Sequence, residues 1–151
     1  MYRRSALLGI LAATSLAILP RFTRSNTLPK VVVYRNPECG CCEGWAEHMR
    51  AAGFEVTIED DPSLDDRRAN LKIPGELASC HIALAGGYAF EGHIPAADIV
   101  KFLNEPPAGA YGLVVPGMPA GSPGMGPEGS GGPYDVLLLT ANAAPTVYAS
   151  H

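Results

Sequence analysis

Charge is scarce in this chain. Only 17% of its 151 residues are charged, too few for a coiled coil or for a chain kept disordered by self-repulsion. Basic residues are not in excess: 11 Lys and Arg stand against 15 Asp and Glu, and the net charge of -4 argues against a surface that tracks nucleic-acid phosphates. Long apolar runs are missing as well. The uncharged apolar stretch at residues 6–19 falls short of the roughly 20 residues that cross a bilayer. Cysteine is sparse, and four thiols (Cys39, Cys41, Cys42, Cys80) cannot staple a domain of this size. Three of them fall within four positions, which points to chemistry. What is present is a chain 47% hydrophobic, long enough for one domain with a real core.

Residues 1–29 are set apart from the fold. Arg3 and Arg4 precede the apolar stretch, and a polar segment follows it, which is the order of an export signal. The paired arginines are similar to a twin-arginine signal, and adjacent arginines also occur in ordinary Sec signals. No A-x-A site follows, so either cleavage or an uncleaved membrane anchor is compatible with the pattern. Removing this segment takes away four arginines and no acid, which moves the net charge from -4 to -8. The pattern predicts export.

The remaining sequence predicts an α/β core over residues 30–104. The β-branched run at 30–34 reads as a buried strand, and Asn36-Pro37-Glu38-Cys39-Gly40 as a turn. Residues 42–52 read as a helix with Trp45, Ala46, Met49 and Ala52 on one face, stopped by Gly53. A second strand at 54–59, a short helix at 62–70, a hairpin of 79–84 with 88–91 across Gly86-Gly87, and a helix at 95–103 follow. Strands separated by a helix imply a parallel pair. The whole order is a thioredoxin-like, more narrowly glutaredoxin-like, β-α-β-β-α layout. Over residues 104–133, nine Gly and seven Pro argue against helix or sheet interior. Strand-like runs at 134–140 and 146–149 then predict a closing β-hairpin. Residues 105–151 thus read as an extension that wraps the core.

The cysteines carry the chemistry. Cys39-Gly40-Cys41-Cys42 holds a C-x-C and a C-x-x-C at once. In a C-x-x-C at a helix start, Cys39 and Cys42 can form a disulfide or share a metal, and the helix N-terminus favours the thiolate. Cys41 breaks the dithiol redox pattern, because a third thiol invites reshuffling. A soft metal uses all three, since thiolates bind Cu(I) and Zn(II) and can bridge ions. Dithiol redox chemistry and plain structural cysteines are the competing readings. Cys80, in Ser79-Cys80-His81, starts the third strand where such folds face the C-x-x-C, a position from which a fourth thiol and the His81 imidazole can face the first three. His93 precedes the last core helix, as a cap or as a ligand. Met118 and Met125 lie among Gly and Pro, and thioether sulfur suits Cu(I) above other biological ions. His48 reads as a solvated helix residue and His151 as a chain end.

Arg35-Asn36-Pro37-Glu38-Cys39-Gly40-Cys41-Cys42, Ser79-Cys80-His81, Glu91-Gly92-His93-Ile94-Pro95-Ala96 and Gly117-Met118-Pro119 together resemble the CopG-like family of bacterial copper-resistance proteins. The resemblance spans residues 30–151. It implies a thioredoxin-like domain whose C-terminal extension contributes to copper binding, a periplasmic location, and Cu(I)/Cu(II) redox handling beside efflux systems. The expected metal ligands are Cys39, Cys41, Cys42, Cys80, His93, Met118 and Met125, holding one copper ion or more. The expected partners are copper ions and copper-efflux components, with no nucleic acid, and the chain is expected to be a monomer. Three functions stay open: a copper oxidoreductase, a passive copper buffer or metallochaperone, and a thiol–disulfide oxidoreductase without metal.

Overall fold

The computed structural model describes residues 27–151, so most of the expected export segment lies outside the described residues. Val31–Arg35 forms β1, where alternate valines turn into the core. The turn at Asn36 closes with the Cys39 N–H donating to the Asn36 carbonyl at 2.9 Å, and the Glu38 N–H donates to the Asn36 side chain. Helix α1, Cys41–Ala51, follows at once, with Cys42, Trp45, Ala46 and Met49 buried at helical spacing. Ala52 is exposed and caps the helix, outside the apolar face expected to include it. After Gly53, at φ +97°, come β2 (Val56–Asp60) and α2 (Leu64–Asn70). A short 3-10 turn, Gly75–Leu77, leads to β3 (His81–Ala85), β4 (Tyr88–Glu91) and α3 (Ala96–Asn104).

Three further strands follow: β5 (Ala110–Val114), β6 (Asp135–Thr140) and β7 (Thr146–Ser150). All seven strands form one mixed sheet in the order β2-β1-β3-β4-β5-β6-β7. β1 and β2 are parallel, as are β4 and β5, and the remaining neighbours are antiparallel. One face packs under α1 and α3 through Val31, Val33, Ala83, Phe90, Leu113 and Val136. The other face carries Ile82, Ala89, Val114 and Leu139 against Leu64 of α2.

The Gly- and Pro-rich window corrects one expectation. Its composition argued against sheet interior, yet β5 lies inside it and between two other strands. The reason is local. A Cβ on Gly112 would stand 1.9 Å from the Ala89 carbonyl oxygen, so only glycine lets these strands approach, beside a register shift in the β5–β6 ladder. Residues 116–133 are irregular and form a strap laid across α1 and the start of β3.

Candidate metal centre

The sulfurs meet where three segments converge. The turn and first residues of α1 bring Cys39, Cys41 and Cys42, and Cys80 stands immediately before β3. Cys41 Sγ lies 3.5 Å from Cys39 Sγ and 3.6 Å from Cys80 Sγ, and Cys42 Sγ is 3.6 Å from Cys80 Sγ. Cys39 and Cys42 are joined as a disulfide, while Cys41 and Cys80 are free thiols. All four sulfurs lie within 4.8 Å of one another, an arrangement compatible with holding a metal ion. Desolvation, then the neighbouring Cys41, pushes the Cys80 thiol up to about 12. Metal-free Cys80 is therefore protonated at neutral pH.

Imidazoles extend the cluster inward. His93 is fully buried with Nε2 at 3.0 Å from Cys80 Sγ, and His81 is fully buried with Nδ1 at 3.3 Å from the same sulfur. Cys80, His81 and His93 form a second group able to share an ion. The other ring nitrogen of His93 lies 2.7 Å from the Pro123 carbonyl. A carbonyl only accepts, so Nδ1 carries the proton and Nε2 presents a lone pair toward the cluster. That is the arrangement by which outer contacts orient histidine ligands. Burial lowers His93, with the Pro123 contact opposing, and burial followed by the His93 neighbour brings His81 down to about 3. Both rings are neutral and fit for ligation. The Nε2 of His81 is buried with no partner among the described residues.

The strap closes the outer side. Met118 is 52% exposed at the rim, with Sδ 4.0 Å from Cys41 Sγ. Met125 is half-buried further along, where its N–H donates to the Ser122 carbonyl and its own carbonyl accepts from Gly121. Among the described residues only the Met118 thioether makes a sulfur contact to the cysteines within hydrogen-bonding range, and Met125 is held in the strap by its backbone. Gly117 donates to the Ala78 carbonyl, and Ser79 Oγ donates to the Gly117 carbonyl. A groove of about 500 Å³ opens on the cluster between Glu38, Asp65, Arg68 and Met118.

Two solved structures are similar to this chain, copper resistance protein CopG in its form 1 and in its form 2. Each is 37% identical, superposes with a TM-score of 0.76, and covers 82% of this chain and 98% of its own. The chain belongs to the CopG family. Residues 77–125, which carry Cys80, His93, Met118 and Met125, also match the family described as a protein of unknown function, DUF411. A search of curated proteins finds no match.

The remaining histidines around this CopG-family site divide by how legible their contacts are. His81, read from Ser79-Cys80-His81 as an imidazole able to face the cysteines, stands 3.3 Å from Cys80 Sγ. His48, expected to be solvated, is half-buried and its Nε2 accepts the Ala96 N–H at the start of α3. His151, expected as a frayed end, pairs its backbone with Tyr134 and its ring with Asp98 at 2.7 Å, far from the sulfurs in role. No pattern of spacing announces such long-range pairs.

Proposed function

We propose that this chain is a periplasmic copper-binding protein of copper resistance, taking copper as its cargo on Cys39, Cys41, Cys42 and Cys80 with His93 and Met118. The observation that carries this reading is the convergence of four sulfurs with a neutral imidazole aimed at one of them. The donor set fits the cargo. Thiolates and a thioether are soft ligands suited to Cu(I), and imidazole also accepts Cu(II). The unpartnered Nε2 of His81 and the two overlapping donor groups leave room for more than one ion. The β1–α1–β2 unit followed by β3–β4–α3 supports a thioredoxin-like core with β5–β7 appended to the same sheet. The export-signal pattern of residues 1–29 supports the periplasm.

Within this reading the bound copper also exchanges electrons, since a mixed sulfur and nitrogen set tolerates both oxidation states. A second reading has its own observation. The Cys39–Cys42 disulfide draws on the same sulfurs as the metal, which favours a carrier that releases copper on oxidation. The thiol–disulfide reading without metal leaves Cys41, His93 and Met118 unexplained.

Anaerobic Cu(I) titration of the fully reduced protein tests the assignment. Cys42→Ser and Cys80→Ser should each lose most of the bound copper, because a neutral hydroxyl is a hard, weak ligand. Full copper stoichiometry in both variants would remove the cluster from the site.

A further inference from the structure

The copper reading does not use the one fully enclosed ion pair among the described residues, although it lies directly behind the cluster. Glu91, at the end of β4, is fully buried, and Arg68 on α2 is 4% exposed. Glu91 Oε1 accepts from Arg68 Nη2 at 2.8 Å, from Arg68 Nε at 3.2 Å, and from the Ser79 backbone N–H at 2.6 Å. Arg68 Nη2 also donates to the Ser79 carbonyl at 3.2 Å, and Nη1 donates to Asp65. One ion pair thus holds both the N–H and the C=O of Ser79, the residue that precedes Cys80.

The same pair reaches the imidazole. Glu91 is two residues before His93, and the link between them is Gly92 at φ +82°, where a Cβ would stand 2.5 Å from the Val115 carbonyl oxygen. No slack remains in that link. Apolar residues of similar volume often stabilise a fold as well as a buried ion pair does, whereas two guanidinium N–H groups converging on Glu91 Oε1, with the Ser79 N–H on the same oxygen, fix direction. The arrangement is suited to geometry more than to stability.

We propose that Arg68 and Glu91 are positioning residues that hold Cys80 and His93 in register for the metal. The proposal deepens the copper reading and rests on it, but it also predicts a property of the metal-free protein. With the pair removed, the Ser79–Cys80 backbone loses two anchors and the Cys80 thiol no longer sits against His93.

The test uses the full chain carrying Arg68→Met with Glu91→Leu. Glu91→Leu alone would leave the buried guanidinium with only the exposed Asp65 as its counter-charge and threaten folding, whereas the double change removes both buried charges together. Glu91→Gln keeps the shape of the side chain and is the milder arm. Cooperative thermal melting checks that both variants are folded. Two readouts follow: the alkylation rate of Cys80 relative to Cys41 in reduced, metal-free protein, and the affinity for Cu(I). The expected result is a several-fold change in relative Cys80 alkylation and a loss of copper affinity of about 10- to 100-fold in the double variant. Glu91→Gln should shift both in the same direction and by less. Unchanged relative alkylation in both folded variants would overturn the proposal, whatever the copper result. If the unaltered protein takes up no Cu(I) while the variants still shift Cys80 alkylation, the copper reading fails and the positioning role stands.

Discussion

At the scale of single residues, histidines show how much burial decides. The four histidines look alike as letters, yet the fold gives each a different task. His93 and His81 face Cys80, His151 meets Asp98, and His48 accepts the N–H that opens α3. Burial holds His48 below its ordinary 6.5, with Glu128 opposing. The neutral ring is the form that can accept from Ala96, so protonation breaks the contact. A lowered folded value means that the stabilisation is present above about 6.5 and is lost as the pH falls below it. His48→Gln keeps an acceptor within reach and cannot titrate. Its melting temperature should therefore fall less than that of the parent between pH 7 and pH 5, although His81 and His93 contribute acid sensitivity to both. Parallel melting curves across that range would show that His48 carries no such linkage. The convergence of the cysteines and His93 was legible because three cysteines share one turn, and Cys80 and His93 flank the β3–β4 hairpin that the apolar pattern places beside it. The contacts of His48 and His151 were not, because their partners are distant in sequence.

At the scale of elements, glycine explains both what was readable and what was not. Regular strands and helices follow the alternation and helical spacing of apolar residues, so β1, α1, β3, β4 and α3 stand within a few residues of where those patterns put them. β5 escapes that reading because its glycine serves a close approach of backbones, and composition alone cannot separate that use from a loop. The strap uses glycine the same way. Gly124, at φ +82°, lies against α1 so closely that a Cβ would stand 2.5 Å from the Trp45 backbone nitrogen, and a Cβ on Gly44 would stand 3.1 Å from Gly124. Backbone cannot move aside as a side chain can. Gly124→Ala should therefore cost about 1–3 kcal/mol of stability in denaturant unfolding, from overpacking and the left-handed conformation together. Gly126→Ala, also at positive φ (+99°) but with only the Ser130 hydroxyl near, should cost less. Equal effects would mean that the strap does not press on α1. The neighbouring Pro123 carbonyl orients His93, so the first substitution should also weaken copper binding.

At the scale of the whole molecule, one sheet ties the cysteine-bearing half to the C-terminal half, and the strap between β5 and β6 lies over the sulfurs. Under the proposed copper reading, the cluster faces two incompatible demands. In the disulfide form Cys39 and Cys42 have no thiolate to offer, and only Cys41 and Cys80 remain with the imidazoles. Metal binding needs deprotonated sulfur, so the reduced cluster and the disulfide compete for the same atoms. Forming the disulfide removes two electrons from two thiolates, whereas taking Cu(I) to Cu(II) removes one and leaves the sulfurs unchanged. The two routes therefore leave different products after treatment with a measured amount of a one-electron oxidant such as ferricyanide. The neutral imidazoles of His93 and His81 beside Cys80 favour the second route, because they supply nitrogen donors that a higher oxidation state accepts. Copper content and free-thiol count should both be unchanged when the copper-loaded protein is oxidised, with one electron recovered per oxidised copper on reduction. His93→Ala should then release copper on oxidation while still binding Cu(I) through the sulfurs. Release of copper from the unaltered protein, matched by the loss of two thiols, would instead establish the Cys39–Cys42 pair as a redox gate and the protein as a carrier.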